Sequence, residues 1–194
     1  YDGGNTAFQF GASTDTIVPA DYTGDGKTDV AFWRPSSGEW FVLRSEDNSF
    51  YAFPFGTSGD IPVPGDFDGD GLCDVAVGGE RPDPDQGSDG VLFVYRGRAP
   101  EGAGRGGLER EPGFVVGATQ ADDRASRFAY WLDMGDLDGD GNIDLAVSSA
   151  TANTVSTLLG DGSGGFLADS VVSLPNRTVG LDIGDLDGDG DLDL

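Results

Sequence analysis

"DFDGDGLCD" (Asp66–Asp74) places four aspartates and two glycines within nine residues. Near-copies are "DYTGDGKTD" (Asp21–Asp29), "DLDGDGNID" (Asp136–Asp144) and "DLDGDGDLD" (Asp185–Asp193). The shared pattern is D-x-[DT]-G-D-G-x-x-D. Position 2 is always apolar or aromatic: Tyr22, Phe67, Leu137 and Leu186. Position 8 is Thr28, Cys73, Ile143 or Leu192. After the first three loops come Val-Ala-Phe (Val30–Phe32), Val-Ala-Val (Val75–Val77) and Leu-Ala-Val (Leu145–Val147). A short apolar run with alanine at its centre predicts an inner strand, buried on both faces where space is short.

Working outward, the loops begin at residues 21, 66, 136 and 185, a recurrence that marks a repeat architecture. The first two units match well beyond the loop. "FGASTDTIVPADYTGDGKTDVAF" (Phe10–Phe32) aligns with "FGTSGDIPVPGDFDGDGLCDVAV" (Phe55–Val77). After the first loop, "DVAFW", "EWFVLRS" and "FYAFPFG" read as strands, separated by "RPSSG" and "EDNS". The third unit repeats the scheme with "DLAVSS", "TVSTLLG" and "SVVSL". No useful stretch carries a helical apolar period. Four strands in a unit of about 45 residues is the size of a propeller blade.

These features predict an all-β chain of four-stranded antiparallel blades, one propeller segment over residues 1–194. A leading strand "AFQF" (Ala7–Phe10), about three blades and the start of another are expected. The longer second interval holds an insertion at about residues 78–113, whose Gly and Pro content reads as irregular surface loop. Its five arginines, among them Arg96, are expected to balance an acidic body.

Composition narrows the function classes. A net charge of −24 argues against nucleic acid or an anionic membrane surface as partner. Sixteen of the 35 acidic residues lie in the four loops, so the charge is not a uniform solvated coat. A hydrophobic content of 37% supports a packed core. The absence of histidine removes Ser-His-Asp chemistry and most zinc and copper sites. The single cysteine, Cys73, excludes an intrachain disulfide and reads as a small core residue. No apolar run approaches membrane-span length, so direct membrane insertion is not expected. The chain begins without Met and ends just after the last loop, and it is expected to be a piece of a longer protein. "NRT" (Asn176–Thr178) fits an N-glycosylation acceptor.

Loop chemistry supplies the main functional expectation. Side chains at positions 1, 3 and 5 can converge where the backbone coils tightly, and glycines at 4 and 6 permit positive φ. A carbonyl at position 7 and the aspartate at 9 complete a cage of hard oxygen donors, the chemistry of a calcium site. Two carboxylates ~4 Å apart repel by roughly 4 kcal/mol at an effective dielectric of 20, a conflict that a dication removes. One such loop would suit an Asp-Gly hairpin turn equally well; four with the same nine positions favour calcium. The EF-hand alternative fails, because position 12 is Phe32, Val77 or Val147 rather than Glu, and the flanks are strands.

The loops and their "FG" and "GD" surroundings resemble FG-GAP/VCBS-type repeats of the integrin-α-like calcium-binding β-propeller. The resemblance implies a blade loop that binds calcium through side chains at positions 1, 3, 5 and 9 and the carbonyl at 7. Carried over, the ligands of the first two loops are Asp21, Thr23, Asp25, Lys27 and Asp29, then Asp66, Asp68, Asp70, Leu72 and Asp74. The third loop would use Asp136, Asp138, Asp140, Asn142 and Asp144, and the fourth Asp185, Asp187, Asp189, Asp191 and Asp193. Lys27, Leu72, Asn142 and Asp191 would act through backbone oxygens. Up to four Ca2+ ions are implied, with the first site weakest because Thr23 replaces an acid. Propellers of this kind commonly have seven blades, so further blades or copies would be needed to close the ring.

The resemblance further implies an extracellular or cell-surface module, non-catalytic, that binds a protein or glycan partner in adhesion. The alternative is a carbohydrate-binding module, lectin-like or accessory to a secreted polysaccharide-acting enzyme; Trp33, Trp40, Tyr51, Tyr130 or Trp131 would then stack on sugar where they do not serve core or blade packing, the commoner role of such residues. Catalysis by the loop carboxylates is not expected, since they are repeated and committed to metal.

Overall fold

The computed structural model describes residues 10–83, 87–98, 107–110, 112–117, 128–150, 152–176, 180–188 and 190–193. Strands run through it in chain order. The first sheet contains β1 (Thr16–Ile17), β2 (Val30–Arg34), β3 (Glu39–Leu43) and β4 (Phe50–Pro54), hydrogen-bonded in that order. The second is built from β5 (Ile61–Gly65), β6 (Asp74–Asp83) and β7 (Gly87–Tyr95). A two-stranded ribbon follows, β8 (Gly97–Arg98) with β9 (Gly107–Leu108), before β10 (Phe114–Gly117) completes the order β5-β6-β7-β10. The third sheet is β11 (Phe128–Gly135), β12 (Asp144–Ser149), β13 (Thr154–Gly160) and β14 (Phe166–Ser173), again in sequence. Every pairing is antiparallel. These are three four-stranded propeller blades. Among the described residues no helix is long and apolar enough to cross a membrane.

Each of the first three acidic loops occupies the same place, between the first and second strands of its sheet, and an isolated bridge closes the fourth. The pairing that closes the loop is the same throughout: Ala20 with Asp29, Gly65 with Asp74, Gly135 with Asp144 and Gly184 with Asp193. The fourth loop therefore opens in the register of the other three.

Strand alternation builds two cores between the blades. On β6, Val75 and Val77 point into a cluster with Ala31, Trp33, Trp40, Val42 and Tyr51 of the first blade. Ala76, between them, faces the opposite cluster with Leu92, Val94, Leu145, Val147, Leu158 and Phe166. The central alanines, Ala31, Ala76 and Ala146, are all buried, as the apolar runs predict. Val30 departs from that pattern and is exposed.

Close packing also joins the loops. A Cβ on Gly65 would lie 2.8 Å from Met134 Sδ and 3.4 Å from Ile143 Cδ1 of the next blade. One on Gly135 would lie 2.7 Å from Leu192 Cδ1. Ala20, the corresponding residue of the first blade, packs against the cluster that contains Cys73. At Gly65 and Gly135, the residue before the loop thus lies against the position-8 side chain of the following loop.

The structure differs from the sequence reading in three places. Much of "GGERPDPDQGSDG" is regular strand, not irregular loop: β6 and β7 pair as far as Asp83 opposite Gly87. The Gly and Pro content masked a long hairpin. Second, the strand before the first loop is β1, while Phe10 lies outside any strand and packs edge-on against Phe32 at 4.8 Å between ring centroids. Ala7, Phe8 and Gln9 of the expected leading strand lie outside the described residues. Third, Trp33, Trp40 and Tyr51 are buried between blades and cannot stack on a ligand. Both indole N–H groups donate to the Phe55 carbonyl, at 3.2 and 3.1 Å, which fixes them in the core. Trp131 is exposed, and the Tyr130 side chain lies outside the described features.

Candidate metal centre

Backbone geometry meets the loop's requirement. Glycines at positions 4 and 6 have positive φ in every loop, for example 71° at Gly69 and 84° at Gly71. A β-carbon there would be strained, which is why glycine recurs at these positions. The coil turns successive amides inward. The position-6 amide donates to the position-1 carboxylate in all four loops: Gly26 to Asp21, Gly71 to Asp66, Gly141 to Asp136 and Gly190 to Asp185. The position-7 amide donates to the position-5 carboxylate at 2.8 Å in the first three.

Position 9 has a role that the pattern alone did not reveal. Asp29, Asp74 and Asp144 are fully buried, each with both oxygens accepting backbone N–H. Their Oδ2 atoms accept from Tyr22, Phe67 and Leu137 at position 2, at 3.0, 2.9 and 2.7 Å. Oδ1 accepts from Ser45, Gly97 and Gly160, at or within two residues of the end of the blade's third strand, at 2.8, 2.7 and 2.8 Å. Asp193 repeats the first bond, from Leu186. Position 9 therefore ties the loop to the end of the third strand. The signal lay in "YRG" and "LLG", where a glycine stands at or just past the strand's end. A Cβ on Gly97 would lie 2.6 Å from the Cys73 carbonyl, so the chain can approach closely only without one.

Carboxylate oxygens gather within 4.8 Å of one another in three groups: Asp66, Asp68 and Asp70; Asp136, Asp138 and Asp144; Asp185, Asp187 and Asp193. Among the described residues no such group forms in the first loop. Asp189 lies outside the described residues. Asp74 and Asp140, expected as ligands, are not in their loops' groups. Asp74 accepts from the Phe67 and Gly97 amides, but Asp144 makes the equivalent pair of bonds and still joins its group, so these bonds alone do not set Asp74 apart. Asp140 accepts from the Asn142 backbone and side-chain amides, each at 2.8 Å.

The decisive difference is at position 1. The Oδ1 atoms of Asp66 and Asp136 are buried and have no hydrogen-bond partner. A buried anionic oxygen left without a donor is costly, and a cation answers that cost. In the first loop, Asp21 Oδ1 instead accepts from the amides of Thr23, Gly24 and Asp25, at 3.2, 2.7 and 3.2 Å. Asp25 is likewise satisfied, by the Ser45 hydroxyl at 3.0 Å and by Lys27 Nζ at 3.5 Å.

Electrostatics follows the same division. Burial pushes the Asp74 carboxyl up to about 6; the Gly97 amide opposes this, and the nearby Asp68 charge adds to it. Asp138 is raised by desolvation and by Asp140, Asp144 and Asp136 around it. For Asp25, desolvation is outweighed by donation from Lys27 and Ser45 and by the Lys27 charge, so its carboxyl falls below the ordinary range. Cys73 is buried against the Asp74 carbonyl, and burial raises its thiol. That is the setting of a core residue, not a nucleophile.

One of the insertion arginines also reaches this region. Arg96 Nε lies 3.4 Å from Asp68 Oδ2, and Nη2 donates to the Ser163 carbonyl of the third blade.

A family model described as the FG-GAP-like repeat matches residues 21–77 and 136–194. No curated protein matches the chain. Among solved structures, it is similar to that of an Agrocybe aegerita lectin, titled for specific recognition of non-reducing terminal N-acetylglucosamine. Identity is 21% and the TM-score 0.48, over 81% of this chain and 38% of that one. The chain thus spans well under half the length of that neighbour.

Proposed function

The chain belongs to the FG-GAP-like repeat family, and from that premise we propose that it is a non-catalytic β-propeller module whose acidic loops bind calcium as part of the fold. The observation that carries this reading is the buried, unpartnered Oδ1 of Asp66 and Asp136, each within a group of three carboxylates. The donor set is all oxygen, on a coiled and partly exposed loop. That favours calcium over magnesium, which demands stricter geometry, and over zinc, which prefers nitrogen and sulfur. Loops of this kind suit affinities of about 10⁻⁴ to 10⁻³ M, matched to the calcium of an extracellular setting. In that setting the blades serve as a scaffold for a protein or glycan partner.

Isothermal calorimetry on the full chain tests the proposal directly. Calcium is expected to bind at the second and third loops, and Asp66→Asn and Asp136→Asn should each remove one site. At calcium 100-fold above Kd, binding should add about 2.7 kcal/mol per site to stability against urea, reversed by EDTA. Absence of calcium heat, together with equal urea midpoints in calcium and EDTA, would show the loops to be turns only.

A further inference from the structure

Arg96 stands directly after β7, and its carbonyl accepts from the Glu109 amide at 2.9 Å. Its side chain runs through a slot between two glycines. A Cβ on Gly113 would lie 3.2 Å from Nε, and one on Gly164 would lie 3.2 Å from both Nε and Nη2. Beyond the slot, Nη2 holds the Ser163 carbonyl, and the buried Nε faces Asp68 Oδ2 without an aligned hydrogen bond. Beside this contact the Gly164 amide donates to the Phe67 carbonyl at 3.2 Å. One guanidinium therefore touches position 3 of the second acidic loop and the β13–β14 turn of the next blade.

Register locates the same position in the other blades. Val30 pairs with Leu43, Val75 with Tyr95 and Leu145 with Leu158, so the residues that follow, Arg44, Arg96 and Leu159, are equivalent. Arg44 lies over the Tyr51 ring at 5.3 Å and 3.9 Å from Glu46, whose other oxygen accepts from the Thr23 hydroxyl, and position 3 there is that neutral threonine. In the third blade the equivalent is the uncharged Leu159, and position 3 is Asp138. Among the described residues, only the second of these three loops combines an acid at position 3 with a cation placed on it.

We propose that Arg96 is a positioning residue that sets the calcium response of the second loop and couples it to the packing of the third blade. The guanidinium is a resident counter-charge for Asp68. An ion at the second loop must share that carboxylate with Arg96, whereas among the described residues no cation stands on Asp138 in the third loop. The second loop accordingly responds at higher calcium than the third, and filling it weakens the clasp on Ser163. This rests on the calcium reading of the loops. Physically it is a salt bridge between part-exposed groups, worth a few-fold in affinity.

The test is residue-resolved NMR on the full chain, wild type against Arg96→Met, which keeps the apolar stem but removes the charge. The Gly71 amide reports the second loop and the Gly141 amide the third. In Arg96→Met the calcium midpoint at Gly71 should fall roughly two- to fivefold, with Gly141 unchanged. In EDTA, the Gly164 amide should exchange several-fold faster than in wild type. Arg96→Lys keeps the charge but cannot reach Asp68 and Ser163 together, so Gly164 should still exchange faster while the Gly71 midpoint stays near wild type. Should Arg96→Met fail to fold, Arg96→Gln is read in the same two ways. A Gly71 midpoint unchanged by loss of the charge overturns the coupling and leaves the calcium reading standing. Wild type with no calcium response at either Gly71 or Gly141 overturns the calcium reading and the coupling with it.

Discussion

The first and third acidic loops share a nine-residue frame and closing register, yet they resolve the same electrostatic problem differently. In the first, Asp21 folds back onto its own amides, Asp25 is held by Lys27 and Ser45, and Thr23 replaces an acid. In the third, Asp136 Oδ1 is buried without a donor among Asp138 and Asp144. One loop is satisfied by protein; the other leaves a buried carboxylate oxygen without a donor. Identical turn chemistry therefore does not give identical sites. What separates the two loops is whether donors, here the Thr23, Gly24 and Asp25 amides, reach the position-1 oxygen.

The largest effect expected from this comparison concerns what the two loops share. Asp29→Ala removes a fully buried carboxylate and leaves the Tyr22 and Ser45 amides without acceptors. Urea denaturation should show a loss of about 2–5 kcal/mol, the same in EDTA as in calcium. A loss seen only in calcium would mean that position 9 of the first loop acts as a ligand and not as a tie.

Converting one loop into the other is the next test. Thr23→Asp restores the acid at position 3, but it places that acid near Glu46, whose Oε2 now accepts from the Thr23 hydroxyl at 3.4 Å. The variant should be less stable than wild type in EDTA by about 1 kcal/mol and should gain one calcium by calorimetry. An unchanged stoichiometry would place the block in Asp21's own hydrogen bonds instead of at residue 23.

The smallest effect tests the protein-satisfied character of the first blade. Arg34 grips Asp15 with two hydrogen bonds, at 2.9 and 2.8 Å, and this donation holds the Asp15 carboxyl below its ordinary range. A lowered carboxylate contributes stability above its unfolded pKa of about 4 and loses it as pH falls through the folded value. Asp15→Asn should cost about 1 kcal/mol at pH 7, shrinking toward zero near pH 2, with no dependence on calcium. A pH-independent cost would assign the effect to packing of Arg34 over Phe41 and Phe32.

Blade architecture was legible because two local signals agreed. The acidic loop fixes a turn, and the apolar run behind it, such as Val75–Val77, fixes a strand buried on both faces. The hairpin of β6 and β7 was not legible, since its outer half is written in Gly, Pro and Asp, residues that read as loop unless partner strands are known. Within the site, spacing identified the carboxylates but not their division of labour. That Asp74 turns to the Gly97 amide, 23 residues away, depends on where the third strand ends. The Arg96 contact joins residues 67 positions apart, and no local pattern encodes it.

The close approach of Gly65 and Gly135 to the next loop has a consequence for how such a chain can be rebuilt. Two junctions are alike, with Gly65 against Ile143 and Gly135 against Leu192, whereas Ala20 of the first blade packs on the cluster that holds the smaller Cys73. A blade copied or transplanted as a cassette would therefore fit after the second or third unit more readily than after the first. Placing the third unit directly after the first would bring the larger Ile143 toward Ala20, so recombination at that junction should change the two residues together.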